Sequence, residues 1–212
     1  ALLICFALLG PGLAPRQEAA GLCLSLLDVG QGDALLLEWP DGDVWLVDGG
    51  GTPGSRYDIG AAVVVPELRR RGIETIELVV MTHGDADHVG GLFAVLEQLE
   101  VQALLLPRRQ HLGAAERTLI GLAEARGVAI LVAGEADPLP PTGAAFAALL
   151  HPGPGWDAAG DAGINDWSVV LRVGLGAVDF LLTGDVEEAA EAQMLASGLP
   201  LRAAVLKLAH HG

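Results

Sequence analysis

The stretch THGDADHVGG, residues 82–91, gathers His83, Asp85, Asp87 and His88 within six positions. Imidazole and carboxylate donors, with no cysteine among them, suit Zn²⁺, Mn²⁺ or Fe better than a structural thiolate zinc. Other metal-capable side chains recur in comparable places. Asp48 closes the run VWLVD, Asp185 follows VDFLLTG, and His210 and His211 follow AAVLKLA. Carboxylates crowded together repel unless cations neutralise them. That is the physical argument for metal, and for two ions more than one. Taken singly, an aspartate after a strand is usually a turn or N-cap residue, and Asp185 before VEEAAEAQ fits an N-cap as well. The argument for metal rests on all these strand ends together.

These side chains meet only if the elements carrying them lie side by side. LCLSLLDV (22–29), ALLLEW (34–39) and VWLVD (44–48) read as strands, and the PDG turn makes the second and third a hairpin. DIGAAVVVPELRRR (58–71) reads as a helix with Asp58 as N-cap, and Pro66 kinks it or moves its start. IELVVMT (76–82) is an apolar strand, followed by a helix (91–99), a strand (103–107), a helix (114–126) and strands at 128–133 and 145–151. A loop rich in Gly, Pro and Asp covers 152–166. SVVLRV (168–173) and VDFLLTG (178–184) form a hairpin around GLGA; a helix (186–197) and a last strand (203–209) follow. A strand meander followed by alternating strands and helices predicts two sheets flanked by helices. The four loaded strand ends would then converge at one edge, where sites in layered α/β folds commonly sit.

The chain has 212 residues, enough for one domain with a substantial core; it is 51% hydrophobic and carries 29 glycines. Its net charge is −15, from 12 basic and 27 acidic residues. So acidic a surface repels phosphate backbones, and bulk charge gives no support for nucleic-acid binding. Cys5 and Cys23 are too few for a disulfide framework or a cysteine-rich zinc site. The opening run ALLICFALLGPGLA is shorter than the ~20 residues that span a bilayer. It reads as the tail of a membrane helix cut upstream, so residues 1–21 are expected to be helix end plus linker and 22–212 the domain. Ending on AHHG reads as a second cut, with the last strands of the domain missing.

The motifs in order resemble the metallo-β-lactamase superfamily, whose signature is H-x-H-x-D-H after a strand, an earlier strand-end Asp, a later Gly-Asp and a last His. LLDVGQGDA, THGDADHVGG, NDWSVVLRV, FLLTGD and LKLAHHG are most similar to one branch, the C-terminal domain of ComEC-type DNA-uptake channel proteins. The resemblance implies an αββα sandwich, here truncated at its C-terminal end. It implies a nuclease acting on incoming DNA, tethered to a membrane channel domain of the same chain, at the cell membrane and on its outer face. It implies two divalent ions, Mn²⁺ or Zn²⁺, and no small organic cofactor. A free-standing phosphodiesterase or ester hydrolase on the same site, or a non-catalytic metal-binding module, are the alternatives.

Carried across by motif, His83 and Asp85 hold one ion, Asp87 and His88 the other, and Asp185 bridges them. One of His210 and His211 completes the second site, with His211 favoured; the other faces the substrate phosphate. Asp48 is expected to orient a ligand without being one. Glu187 touches the attacking water or the leaving group, and Asp87 is needed for the chemistry. Asp85 replaces the usual second histidine, which makes the site harder and shifts preference toward Mn²⁺ or Mg²⁺ relative to Zn²⁺.

Other polar residues carry less. His111 beside RRQ reads as solvated. His151 before Pro152 is either a further ligand or, as favoured, a packed strand-end histidine. Asn165 and Ser168 either line the mouth of the site or serve as caps and turns. GGGTPGS (49–55) lacks the Gly-Lys-Ser/Thr ending of a phosphate loop. The 157–166 loop lacks EF-hand spacing, and no G-x-S-x-G elbow is present.

Overall fold

The computed structural model describes residues 21–108, 112–135, 139–140, 142–154, 156 and 163–211, without the side chain of His211. The expected membrane-helix tail and His111 lie outside the described residues. No helix among the described residues is long and apolar enough to cross a membrane.

Among the described residues, ten strands form two sheets. The first has the order β1 (Cys23–Leu26), β2 (Leu35–Glu38), β3 (Val44–Val47), β4 (Thr75–Val80), β5 (Glu100–Leu106), β6 (Ala129–Val132). Its first three strands pair antiparallel and the rest parallel. The second runs β10 (Val205–Lys207), β9 (Val178–Leu182), β8 (Val170–Leu175), β7 (Phe146–His151), with only the β9–β10 pair parallel.

The apolar runs explain the layering. Successive side chains of a strand point to opposite faces. In β3, Val44 and Leu46 join a core shared with α1 (Val65–Arg70), α3 (Leu92–Gln98) and α4 (Ala114–Ala125). Trp45 and Val47, from the same strand, turn to the second sheet and meet a core that includes Leu171, Val173 and Leu182. A third core packs Leu150, Val170 and Leu181 against Ala190 and Met194 of α5 (Glu188–Ala196). The result is helix, sheet, sheet, helix: the four-layer αββα sandwich. Strands buried on both faces are apolar throughout, which is why IELVVM shows no alternation.

Local chemistry sets the details. Asp58 Oδ1 accepts the Ala61 N–H at 2.9 Å, as an N-cap should. The chain then makes a wide π turn over Gly60–Val64, and the α-helix starts at Val65 with Pro66 in its first turn. Proline has no N–H and crowds the carbonyl four residues before it, so the start of the regular helix moves to the proline. The glycines at 49–51 have a packing role. A side chain on Gly49 would come within 2.7 Å of Leu92 N, and one on Gly91 within 2.0 Å of Gly49 O. The loop after β3 and the start of α3 therefore cross backbone on backbone.

Candidate metal centre

Three chain segments end at the same edge of the two sheets. β3 delivers Asp48, which adopts φ +61°, a left-handed conformation that aspartate tolerates better than most residues. β4 runs into Thr82 and His83, and the short helix α2 (Ala86–Val89) carries Asp87 and His88. β9 leads through Gly184, φ +54°, to Asp185.

Asp48 organises the buried part. Its Oδ1 accepts the Thr82 backbone N–H at 2.8 Å, and its Oδ2 accepts the Thr82 hydroxyl at 2.6 Å. The same Oδ2 lies 2.8 Å from His88 Nδ1. With its proton given to Asp48, the Thr82 oxygen is left to accept from His83 Nδ1 at 3.0 Å. Both imidazoles thus keep Nδ1–H on the Asp48 side, and His88 turns Nε2 toward Asp185. His88 Nε2 lies 3.2 Å from Asp185 Oδ2, and the two rings sit 4.1 Å apart. Ser168 supports this from the second sheet: its hydroxyl accepts the Asp185 N–H at 3.1 Å and lies 3.4 Å from His83 Nδ1.

Charge follows geometry. Burial by itself would push the His88 imidazole down, but Asp48 and Asp185 more than offset it and push it up to about 10. His83 is pushed down, first by burial and then by the charge of His88. Burial would raise the Asp185 carboxyl, but the hydrogen bond and charge of His88, then Lys207, hold it well below the usual carboxylate range.

These residues fit a cation. His83, His88 and Asp185 each offer a donor atom within 4.8 Å of the others, and all three are buried. His83 Nε2 is buried and makes no hydrogen bond. Asp85 Oδ2 is 3.6 Å from it, beyond hydrogen-bond reach. A buried lone pair without a donor is costly unless something else uses it.

The other expected site residues are placed as follows. Asp85 is half exposed beside His83. Asp87 lies in the first turn of α2, on a backbone so close to Gly32 that a Cβ there would come 1.6 Å from Asp87 O. It falls in neither cluster of donor atoms among the described residues. Glu187 and His210 meet at the exposed rim, 3.5 Å apart, and Asn165 donates to Glu187 at 2.9 Å. The His211 side chain lies outside the described residues. His151 is buried, bonded to the Asp166 carbonyl at 2.8 Å and edge-on to Trp156.

Sequence reasoning missed Asp33, Lys207 and Thr82. Asp33 belongs to a second donor group with Asp48 and His88, and it pairs with Lys207. The placement of all three within quoted motifs was the available signal. It also missed Glu116, fully buried beneath Gly84, where a Cβ would come 2.3 Å from its Cδ.

The model of the metallo-beta-lactamase superfamily matches residues 27–208. The chain belongs to this superfamily. Relatives by sequence include ComE operon protein 3 of Bacillus subtilis (strain 168), 29% identical over 89% of this chain and 25% of that protein. Another is Recombination protein 2 of Haemophilus influenzae, 32% identical over 55% of this chain and 14% of that protein. The chain thus spans a quarter or less of the length of these curated relatives. A solved structure with a similar course is a subclass B3 metallo-beta-lactamase from a soil metagenome library, at TM-score 0.48 and 16% identity, covering 85% of this chain and 74% of that one.

Proposed function

We propose that this chain is a metal-dependent phosphodiester hydrolase, the nuclease domain of a ComEC-type DNA-uptake protein at the cell membrane. The observation that carries the reading is the buried triad His83, His88 and Asp185, with His83 Nε2 buried and making no hydrogen bond. The family and the likeness to ComE operon protein 3 support the assignment to DNA uptake.

In this reading His83 and Asp85 hold one divalent ion, Asp87, His88 and His211 the other, and Asp185 serves both, with Mn²⁺ or Zn²⁺ as the ions. Bound there, the ions supply Lewis acidity for hydrolysis at phosphorus. The protein does the rest. Asp48 and Thr82 hold both imidazoles through Nδ1, so no ring has to reorient before a ligand arrives. To serve as a ligand, His88 Nε2 would give up the proton it shares with Asp185. Glu187 and His210 meet at the rim; in this reading the carboxylate accepts a proton from water and the imidazole donates to a phosphate oxygen. DNA reaches this acidic domain through local contacts and the rest of the protein, since a net charge of −15 repels it at long range.

The test is cleavage of single- and double-stranded DNA by the full-length protein with Mn²⁺ or Zn²⁺, and after chelation. Chelator-sensitive cleavage that Asp87→Ala abolishes, with the fold intact by circular dichroism, is the expected result. Hydrolysis of small phosphodiesters or esters without DNA cleavage would favour a free-standing hydrolase; metal binding without any turnover would favour a binding module.

A further inference from the structure

Lys207 ends β10, and its ammonium reaches three oxygens. It donates to the Gly184 carbonyl at 2.9 Å, lies 3.4 Å from Asp185 Oδ1, and forms an ion pair with Asp33 Oδ2. The side chains of Lys207, Asp33 and Asp185 are only 12%, 13% and 4% exposed. Asp33 comes from the β1–β2 connection of the first sheet; Lys207 and Asp185 come from the second. One lysine therefore joins the two sheets beside the metal centre.

Its position divides the ligand atoms. Asp185 turns Oδ1 to Lys207 and Oδ2 to His88 Nε2. Asp33 is also one of a second donor group, with Asp48 and His88, whose atoms lie within 4.8 Å of one another. The two groups share His88, so a cation drawn to Asp33 would compete for the imidazole that the first group needs.

We propose that Lys207 is a positioning residue, an internal cation that keeps Asp33 out of the ligand set and restricts Asp185 to one outward oxygen. This rests on reading His83, His88 and Asp185 as a cation site. A fixed ammonium suits the task, being a compact point charge on a stem that can be buried. The arrangement trades affinity for definition. Removing the ammonium takes a positive charge away from two buried carboxylates, so a divalent ion meets less repulsion beside them. Removing the Asp33 charge instead leaves the ammonium beside Asp185 and the Gly184 carbonyl, where it repels an arriving ion.

The two substitutions therefore move metal affinity in opposite directions. The experiment is isothermal titration calorimetry of Mn²⁺ and Zn²⁺ into the chelator-treated full-length protein, with thermal unfolding of the metal-free forms alongside. Lys207→Met is expected to lower the metal-free midpoint and to tighten binding by about tenfold, the effect of one modest charge interaction. Asp33→Asn is expected to weaken binding by several-fold, and the double variant Lys207→Met/Asp33→Asn to lose the gain. A purely structural lysine would weaken binding in both single variants, and that result overturns the proposal, as does unchanged affinity in either. Should Lys207→Met not fold, Lys207→Gln takes its place, keeping a donor for the Gly184 carbonyl without the charge, and the same tightening is expected. If the unsubstituted protein binds neither ion, the cation site itself is wrong, and that failure is distinct from wild-type binding without the opposed shifts.

Discussion

Asp48 and His88 stand forty residues apart in the chain and 2.8 Å apart in the fold. The contact is buried at both ends, and the same carboxylate also binds the backbone and hydroxyl of Thr82. One acid thus fixes the orientation of both histidines of the centre. Asp48→Ala is expected to lower Mn²⁺ affinity by about 10–100-fold, the usual cost of losing an outer-shell partner. It also leaves buried donors unpaired, at about 3 kcal/mol. Metal titration and denaturant unfolding of the same variant measure the two effects; unaltered metal affinity would sink the orienting role.

Asp185 is the point where the two sheets meet the centre. Asp185→Asn keeps the shape and removes the charge between His88 and Lys207. Metal binding and any hydrolysis should fall by at least about a hundredfold, and the metal-free midpoint of thermal unfolding should fall too, because His88 and Lys207 lose a buried counter-charge. Retained metal binding would show that the triad is not the cation site.

Gly32 combines φ +79° with a backbone contact to Asp87 that leaves no room for a Cβ. Gly32→Ala must push the β1–β2 connection away from α2. The expected loss is about 2 kcal/mol or more of stability, from positive φ and overlap together. Urea unfolding checks it, and an unchanged midpoint would mean that the two segments do not pack this closely.

His151 makes stability pH-dependent. Burial pushes its imidazole down, against the hydrogen bond to the Asp166 carbonyl. The unfolded chain binds the proton near the ordinary value of about 6.5, the folded chain only at lower pH. In that window the unfolded state holds more protons, so stability rises with pH. The contribution is fully present above about pH 6.5 and fades as pH falls below it. His151→Gln should flatten the loss of thermal midpoint between pH 7.5 and 5, a window set by that value. An equally steep loss in the variant would remove His151 as the cause.

Much of this architecture is readable in the sequence. Each expected strand and helix among the described residues has its counterpart, shorter by a residue or a few at most ends, because apolar period and turn residues are local signals. The short helix carrying Asp87 and His88 was not anticipated, since four residues show no period. The family was readable too, because five motifs in order carry more information than any of them singly. Ser168 was readable only as a choice between the mouth of the site and a cap, because its burial between His83 and Asp185 depends on the other sheet.

The sequence by itself determined which elements form, which faces are apolar and which strand ends carry acids and imidazoles. Those properties depend on neighbours a few residues away. Only the tertiary structure decided that Asp33 and Lys207 would pair beside Asp185, and that Thr82 would link Asp48 to His83. Such contacts depend on the register of strands and the stacking of sheets. Those are fixed by packing over the whole core, and a charge in a loop has no local periodicity to reveal its partner.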